Sequence, residues 1–504
     1  MAPPPLRART FCQSLLFFSP LTGISTVSDA ERRSESERSS SQDIASDEWA
    51  TDIANPRNWS GGKKWAVTAI VSAYNFISPL ASSMMAPALP NIAEHYEITN
   101  PTLVSMTLSV FLLSFAVGPL FFGPLSEIYG RTWVLHGGNL LFLAFSIGCA
   151  YSPTANALIA FRFLSGLAGS APVACGGGSI SDLFAERDRA AAMSLFSLGP
   201  LIGPVVGPIA GGFISQSIGF KWVFIILAAL CGAFACIGIP LLRETYAPVI
   251  QRRMGKKSMK TSSDPEKFQV AHANEAVGEK IWLNLSRAVI LLFGSFICFI
   301  LSLYNSLMYG VYYLMFTTFP PLFLETYHFS VGVSGLAYLG LGIGFFIASG
   351  IGAYLGNIIY KRLSDKNGGV GKPEMRMPVL ILGSFFVPIG LFWYGWSAQA
   401  KLHWIMPIIG TAIFGFGFMT TFIPIQLYLV DAFTYAASAL AAASVLRSLF
   451  GFAFPLFGAQ MFKALGNGGG NSLLGGLTIV LGIPFPIWIY YYGERIRANN
   501  PLNR

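Results

Sequence analysis

Long apolar runs separated by short polar segments make up most of this 504-residue sequence. A helix that crosses a membrane needs about 20 mostly apolar residues. Twelve runs meet this requirement, and the longest need tilt or kinks to fit a bilayer. They lie near residues 64–86, 102–122, 133–151, 156–178, 192–216, 221–241, 290–317, 331–355, 378–396, 403–429, 433–462 and 472–491. The pattern predicts an all-α membrane protein with twelve transmembrane helices.

Two long polar segments divide these runs into domains. Residues 1–62 are rich in Ser, Glu and Arg. Because a segment of this composition cannot bury enough apolar surface to fold, we predict a disordered cytosolic tail. Residues 242–289 lie between the sixth and seventh runs and are too charged to span a membrane. We therefore predict a six-helix half at 63–241, a central cytosolic loop at 242–289, a second six-helix half at 290–491 and a cytosolic tail at 492–504.

The composition excludes several classes of protein. Only 11% of the residues are charged, against about 25% in a typical soluble domain. The net charge of +9 lies in loops between apolar runs, so we expect no nucleic-acid partner. No G-x-x-x-x-G-K-[ST] phosphate loop is present, which argues against direct use of ATP. No set of spaced His with Asp or Cys shares a membrane depth, so we expect no enzyme, no metal and no cofactor.

The distribution of basic residues predicts the orientation of the chain. Cytosolic loops of membrane proteins carry an excess of Lys and Arg. With both termini in the cytosol, three of the 33 Lys and Arg residues fall on the external side, namely Lys221, Lys401 and Lys463. Two more, Arg162 and Arg447, lie within spans. We therefore predict a multi-pass protein with both termini in the cytosol.

The turn after span 2 combines small residues with charge. It reads GPLSEIYGR, in which Glu127 and Arg131 supply opposite charges. This segment resembles the loop between spans 2 and 3 of the major facilitator superfamily, with Glu127 where an aspartate is more usual. The resemblance implies a conformational latch between two halves, formed by Gly123, Pro124, Glu127, Gly130 and Arg131. The alternative is an ordinary tight turn with surface charges.

Span 4 contains an arginine about six residues from its end, in the segment AFRFLSGLAG. A charge at this depth is costly unless it faces a cavity or a partner, which makes Arg162 a functional candidate. The segment resembles the R-x-x-x-G element of the same superfamily, and this resemblance implies a role for Arg162 in proton coupling. The alternative is a side chain that reaches the outer interface.

Span 5 contains a repeated Gly-Pro pattern. Glycine at every fourth position builds one smooth helix face, and each proline removes a backbone donor and bends the helix. The segment GPLIGPVVGPIAGG is similar to the antiporter signature of drug:proton antiporters in the superfamily, which implies a packed and bendable hinge. Its residues are Gly199, Pro200, Gly203, Pro204, Gly207, Pro208, Gly211 and Gly212.

The resemblance extends over most of residues 50–500. Within the superfamily, the sequence is most similar to fungal twelve-span multidrug and toxin exporters. The supporting segments include NPRNWS before span 1, RETYAP after span 6 and LRSLFG in span 11. It implies the major facilitator fold, with twelve helices in two pseudo-symmetric halves of six.

Acidic residues do not provide an obvious proton relay. None of the 24 Asp and Glu residues lies at the middle of a span, whereas Arg162 and Arg447 lie deep. Three alternatives stay open: Asp431 or Glu127 titrates from the cytosolic side, a coupled network of loops is protonated, or the arginines meet an anionic substrate group. The candidates for proton coupling are Arg162, Asp431 and Arg447.

Polar and aromatic residues in mid-span indicate where a substrate binds. Carriers of the facilitator type bind substrate at the midplane between their halves. Aromatic walls with few polar anchors suit bulky, mostly apolar ligands. In span 7, Asn305, Tyr309 and Tyr312 lie on one helix face. The candidates for substrate binding are Tyr74, Asn75, Tyr304, Asn305, Tyr309, Tyr312 and Gln426.

These features lead to the hypothesis of a monomeric, proton-driven exporter of hydrophobic drugs, toxins or secondary metabolites. Its partners are a small hydrophobic substrate, protons and the lipid bilayer. Its location is the plasma membrane, with the vacuolar membrane as the alternative. Two other functions stay open: a carrier dedicated to one metabolite such as a polyamine, sugar or vitamin, in either direction, and a membrane sensor with a carrier fold. The Gly-Pro pattern favours export.

Overall fold

The computed structural model describes Trp49 and residues 51–185, 188–259, 277–433 and 436–498. The chain divides into two compact units, Met1–Asn58 and Trp59–Arg504. In the first unit, a 3-10 turn covers Pro56–Asn58, and Asn55 Oδ1 accepts a hydrogen bond of 3.0 Å from Arg57 N. Residues 1–48 of the predicted tail lie outside the described residues.

Six long helices form the first half of the second unit. They are α1 (Gly61–Ser83), α2 (Pro101–Tyr129), α3 (Arg131–Ala150), α4 (Ala155–Leu183), α5 (Arg189–Ile218) and α6 (Lys221–Leu241). A short helix, Leu89–His95, connects α1 to α2. After α6, the helices Ala247–Met259 and Val277–Gly294 lead to the second half.

Six further helical segments form the second half. Helix α7 (Phe296–Pro321) continues into a π-helical turn, Leu322–Thr326. Segment α8 is broken into Val331–Leu336, Leu339–Ile347, a π-helical turn at Ala348–Gly352 and Ala353–Lys366. Helices α9 (Met377–Gln399) and α10 (Ile405–Ala432) follow. The helix Ala436–Gly482 bends at Gly466, so α11 is 436–465, and α12 combines 467–482 with Pro484–Ala498.

The long helices match the predicted spans in number. Ten segments of the described chain are long and apolar enough to cross a membrane. The last of them, Ser438–Ala498, contains both α11 and α12, and α1 adds the remaining span. The described residues contain no β-strand. The predicted all-α fold with twelve membrane helices is confirmed.

Glycines with positive φ separate three pairs of consecutive helices. Gly130 has φ 106° between α2 and α3, Gly219 has φ 95° between α5 and α6, and Gly466 has φ 69° between α11 and α12. L-residues with a side chain avoid this backbone region. Glycine therefore lets the chain reverse direction within one or two residues at these turns.

The entry into the second half differs in detail from the sequence-based boundary. The helix Val277–Gly294 runs across residue 289, and α7 begins after Ser295. The Ser295 hydroxyl accepts a hydrogen bond of 3.4 Å from Cys298 N, as an N-cap does. We call the side of the bundle on which α6 ends and α7 begins the central-loop side, and the other the opposite side.

The glycine face of α5 packs directly against α1. A Cβ atom added to Gly203 would lie 2.8 Å from Leu80 N, and one added to Gly199 would lie 3.0 Å from Phe76 Cα. Gly207 and Gly211 meet the backbone of α1 and of the residue after it in the same way. This close approach explains the spacing of four residues, because every residue on that face meets backbone atoms.

Helix α5 also contacts the second half. A Cβ atom added to Gly335 would lie 2.6 Å from Pro208 O, and Gln216 Oε1 accepts a hydrogen bond of 2.7 Å from Gly332 N. Two further hydrogen bonds cross between the halves, one between the hydroxyls of Ser82 and Tyr313 at 2.9 Å and one between Gln460 and Thr102 at 2.7 Å. All three hydrogen bonds lie in the part of the bundle nearer the opposite side.

Candidate functional site

The deep arginine of α4 is fully enclosed by protein. Arg162 is 1% exposed. Its Nη1 donates to Ala81 O at 3.0 Å, Nε to Thr107 O at 3.3 Å, and Nη2 to Leu108 O at 3.4 Å. The guanidinium also lies 4.7 Å from the centre of the Phe111 ring. The side chain therefore joins α4 to α1 and α2 and does not reach the membrane surface.

The deep arginine of α11 has a different environment. Arg447 is half-buried, and its guanidinium carbon lies 4.8 Å from the centre of the Tyr309 ring and 5.5 Å from that of Phe422. Its Nη2 donates to Ser444 Oγ at 3.3 Å, and its buried Nε has no hydrogen-bond partner. Arg447 thus joins three spans through aromatic stacking rather than through carbonyl groups.

Aromatic side chains of α7 form a cluster with α8 and α10. We call Tyr309, Tyr312, Tyr313, Phe345 and Phe418 the aromatic cluster. The ring centres of Tyr309 and Tyr313 are 4.9 Å apart, and Tyr312 lies 5.4 Å from Phe418 and 5.5 Å from Phe345. Because Tyr313 also contacts Ser82 of α1, the cluster reaches the boundary between the two halves.

The buried asparagines of α7 and α1 differ in their partners. Asn305 is 0% exposed, and neither its Oδ1 nor its Nδ2 has a hydrogen-bond partner. Asn75 donates from Nδ2 to Phe196 O of α5 at 3.0 Å, while its Oδ1 has no partner. Buried polar groups are nearly always satisfied in proteins. These unpartnered buried atoms are therefore unusual for a folded protein.

Two tyrosines among the candidates for substrate binding are engaged within their own halves. The Tyr74 hydroxyl lies 3.2 Å from His136 Nδ1 of α3. The Tyr304 hydroxyl donates to Ser384 Oγ of α9 at 3.1 Å. The structure thus does not bring these two to the aromatic cluster. Gln426, near the central-loop side of α10, is half-buried.

The turn between α2 and α3 joins the end of α4. Arg131 Nε lies 3.6 Å from Asp182 Oδ2, and Arg131 Nη1 donates to Ser126 Oγ at 2.6 Å. The Arg131 guanidinium also stacks 4.9 Å from the Tyr246 ring. Glu127 is exposed and forms no ion pair within the described ranges. Of the predicted latch residues, Arg131 makes the charged contact, and its partner is Asp182.

A second carboxylate caps the start of α3. Glu244 Oε1 accepts hydrogen bonds from Arg131 N at 2.9 Å and from Thr245 N and Tyr246 N at 3.1 Å. A Cβ atom on Gly130 would collide with this carboxylate. Gly130 is thus required both for its positive φ and for the space that Glu244 occupies. An anion is favourable here because the amino end of a helix carries partial positive charge.

Tyr246 lies outside the membrane-spanning segments, beside the same turn. Burial raises the pKa of its phenol, and the negative charges of Glu127 and Asp182 act in the same direction. The phenol therefore stays protonated at neutral pH. Two arginines of the following helix complete the region, since Arg252 donates to Ile128 O at 2.9 Å and Arg253 to Tyr129 O at 3.3 Å.

The second half has a related arrangement on the same side. Arg376, just before α9, pairs with Asp431 at the end of α10 through an Nε–Oδ2 contact of 2.6 Å. Its guanidinium stacks 4.8 Å from the Tyr360 ring. Nearby, Glu374 accepts hydrogen bonds of 2.8 and 3.0 Å from Arg497 of α12. Asp431, predicted from the sequence, therefore lies in an ion pair outside the membrane centre.

Sequence reasoning missed several of these partners. Asp182, Glu244, Arg376, Glu374 and Arg497 were not among the predicted site residues. Comparing the halves offers a signal, because each half has an arginine at the start of its third helix and an aspartate at the end of its fourth. Within the described ranges, no three His, Cys, Asp or Glu side chains come together to hold a metal ion.

The sequence profile of the Major Facilitator Superfamily matches residues 71–455. The chain belongs to this superfamily of membrane transporters, and it is a transporter and not an enzyme. The prediction that the chain is similar to fungal efflux transporters of this superfamily is confirmed. It is 45% identical over 452 residues to the MFS transporter cpaT of Aspergillus oryzae, covering 89% of this chain and 91% of that protein. It is 43% identical over 450 residues to the efflux pump radE of Floropilus chiversii, with 89% and 84% covered.

Solved structures share the fold at low sequence identity. The partially occluded, inward-open xylose transporter XylE from E. coli matches with a TM-score of 0.64 and 14% identity, over 86% of this chain and 98% of that one. A D-xylose-proton symporter also matches with a TM-score of 0.64, at 14% identity over 84% and 97%. At this identity, the similarity shows the fold alone.

Proposed function

We propose that this transporter is a proton-coupled exporter of hydrophobic drugs, toxins or secondary metabolites. It acts in the plasma membrane, with both termini in the cytosol. The curated relatives include proteins named as efflux pumps, at 43% and 44% identity over 89% of the chain. The observation that carries the proposal is the packing of the Gly-Pro segment of α5, which touches α1 of its own half and α8 of the other half.

This packing suits a helix that moves between two arrangements. The glycine face lets α5 slide or tilt along α1 without disturbing large side chains, and Pro200, Pro204 and Pro208 weaken its backbone hydrogen bonding. The hydrogen bonds between the halves lie toward the opposite side. A rocking motion that breaks them and forms new contacts near Gly123, Pro124, Glu127, Gly130 and Arg131 exposes the central site to the opposite side.

Proton coupling involves three charged residues. Asp431 is the carboxyl group among them and can exchange a proton with the central-loop side, where Arg376 holds it. Arg162 and Arg447 place positive charge within the spans. They act through fixed charge, which favours one protonation state of the groups and substrate near them.

The substrate site lies between α7, α10 and α11. The aromatic cluster supplies apolar rings, and Asn305 and Arg447 supply polar groups without full hydrogen bonding. Such a site binds bulky ligands mainly through apolar contact, with orientation set by a few polar atoms. Asn75 contributes from α1, and Gln426 from the central-loop end of α10.

Export is tested in two systems. The full chain is expressed in a yeast strain that lacks its own exporters, and efflux of fluorescent hydrophobic compounds is measured with and without a protonophore. The purified chain is then reconstituted into liposomes, and transport is measured with and without an imposed pH gradient. We expect export that stops when the gradient is removed.

The variant Gly203→Leu tests the role of the α5 packing, and Gly137→Ala is its control. A Cβ atom on Gly203 would press on the backbone of α1, whereas one on Gly137 meets nothing within 4 Å. Gly203→Leu should abolish transport with normal protein abundance, and Gly137→Ala should transport normally. Accumulation of a labelled metabolite inside cells, with no efflux of any dye, would contradict export.

A further inference from the structure

Arg447 is a positive charge near the middle of the bilayer, and the described residues give it no acidic partner. It lies eleven residues after the start of the helix at Ala436, or about 17 Å along the helix axis, in a hydrocarbon core about 30 Å thick. Its protein contacts are one serine hydroxyl and two aromatic rings, and its Nε has no partner. Charged side chains at this depth normally pair with another group.

The two deep arginines differ in the hydrogen-bond partners of their guanidinium groups. Arg162 uses all three nitrogens of its guanidinium on backbone carbonyls of α1 and α2. Each of its three nitrogens therefore has a partner within the protein. Arg447 uses one nitrogen on a serine of its own helix, and its guanidinium carbon lies over the rings of Tyr309 and Phe422. Its Nε has no hydrogen-bond partner.

In the part of the chain that the structure describes, no carboxylate pairs with this guanidinium. Every Asp and Glu that the structure describes lies in a loop or within about five residues of a helix end. The acidic residue of the neighbouring α10, Asp431, pairs with Arg376. An anion that reaches Arg447 must therefore come from outside the described part of the chain.

A second unsatisfied group lies on α7, one helical turn from a residue that contacts Arg447. Asn305 is one helical turn before Tyr309, whose ring stacks on Arg447, because residues four apart share a helix face. Its amide is completely buried, with neither Oδ1 nor Nδ2 hydrogen-bonded. An amide in this state can donate to an oxygen of a bound ligand and accept from a neighbouring hydroxyl.

We propose that the substrates of this transporter are amphipathic organic anions. Their planar acidic group, a carboxylate or a comparably acidic enol or phenol, binds the guanidinium edge of Arg447. Their apolar part lies against the aromatic cluster, and Asn305 hydrogen-bonds next to the acidic group. This inference rests on the proposed function and narrows its substrate class from hydrophobic compounds in general to acidic ones.

The chemistry of the site favours a planar anion over a point charge. A guanidinium is flat and presents parallel N–H donors that match the two oxygens of a carboxylate. The guanidinium carbon of Arg447 lies over the rings of Tyr309 and Phe422. A cationic substrate would be repelled by Arg447, and a neutral one would leave its charge unpaired.

Binding is measured with three probes that differ only in charge. The full-length protein in lipid nanodiscs is titrated at pH 7.5 with pyrenebutyric acid, pyrenebutanol and pyrenebutylamine, and empty nanodiscs are subtracted. We expect the acid to bind about tenfold more tightly than the alcohol, as a charge-assisted hydrogen bond implies. The amine should bind most weakly. Equal affinity for acid and alcohol, tighter binding of the amine, or binding of none of the three would overturn the proposal.

Three variants locate the charge recognition. Arg447→Gln should weaken binding of the acid about tenfold and leave that of the alcohol unchanged, while Arg447→Lys should retain part of the preference. Asn305→Leu should weaken acid binding by a smaller factor. Unchanged acid preference in Arg447→Gln would contradict the assignment. If that variant does not accumulate, the ratio of acid to alcohol affinity in the unaltered protein decides the question.

The efflux experiments separate this inference from the proposed function. Protonophore-sensitive export together with equal binding of acid and alcohol would support proton-coupled export and contradict the acidic substrate class. Acid-selective binding through Arg447 without export would support the acidic substrate class and contradict export.

Discussion

On the central-loop side, the two halves of the transporter share one kind of contact and differ in another. In each half an arginine at the start of the third helix pairs with an aspartate at the end of the fourth, and the arginine stacks on a tyrosine. The second contact differs. Glu244 of the first half accepts hydrogen bonds from backbone N–H groups of α3, whereas Glu374 of the second half pairs with the Arg497 side chain.

The two halves therefore connect the end of their last helix to the start of their third helix through different kinds of contact. A carboxylate on backbone N–H groups needs no particular side chain in α3, but it needs the space left by Gly130. A carboxylate on an arginine needs both side chains, and Glu374 also packs against Gly493, where an added Cβ atom would lie 3.0 Å from Glu374 Cγ. The halves should therefore respond to different substitutions.

Glu374→Gln should have the largest effect of the substitutions that test this comparison. Glu374 and Arg497 are both largely buried, with side chains 8% and 12% exposed. Removing one partner of a buried pair leaves the other charge uncompensated, and we expect a loss of about 3 kcal/mol in the free energy of unfolding. The loss is measured by SDS titration of the purified protein in mixed micelles.

The double variant Glu374→Gln with Arg497→Gln is the control for this substitution. It should recover part of the lost stability, because the unpaired charge is removed. Losses that simply add would show that the pair does not act as a unit. The exposed pair of Lys372 with Glu494 provides a second reference, since Lys372→Gln should cost little.

Gly130→Ala should destabilise the first half by about 2 kcal/mol, because its left-handed backbone disfavours a side chain. The methyl group would also displace the Glu244 carboxylate from the start of α3. Midpoints of thermal unfolding are compared with those of Gly137→Ala, where a Cβ atom meets nothing within 4 Å. Equal stability of the two variants would contradict the role assigned to Gly130.

Asp182→Asn and Asp431→Asn should have smaller and similar effects, below about 1 kcal/mol, because partly exposed ion pairs contribute little. Both aspartate side chains are partly exposed, at 21% and 31%. SDS titration measures stability, and the liposome assay measures transport. A much larger change in transport than in stability for Asp431→Asn alone would support its proposed part in proton coupling.

Tyr246→Phe and Tyr360→Phe should have the smallest effects. A phenylalanine ring keeps the face on which the arginine stacks, and a cation–π contact at a partly exposed site contributes about 0.5–1 kcal/mol. We expect unfolding midpoints within error of the unaltered protein. A marked loss for Tyr246→Phe alone would show that its hydroxyl, and not its ring, matters in the first half.

Much of the fold was predictable because its signals are local in the chain. Each span is a continuous apolar run, so its existence follows from composition over about 20 residues. The motif with glycine at every fourth position in α5 predicted a close helix contact, and its partner proved to be α1. The start of α7 was placed six residues too early, because the amphipathic helix before it ends at Gly294 and is also apolar on one face.

The candidate site was only partly predictable because its contacts join distant residues. Arg131 was identified from its turn, yet its partners Asp182 and Glu244 come from other helices. Arg162 and Arg447 were equally notable as deep charges in the sequence. The structure distinguishes them, because three carbonyl groups surround the first and aromatic rings the second.

The sequence by itself determined the class of protein, the number of spans and the positions of the unusual residues. The length of an apolar run, the spacing of glycines and a charge within a span all depend on residues close together in the sequence. Only the tertiary structure decided which charges are paired and which polar atoms are left without partners. Those properties depend on which helices become neighbours, and in a twelve-helix bundle neighbouring residues are often separated by more than 100 positions, as Glu374 and Arg497 are.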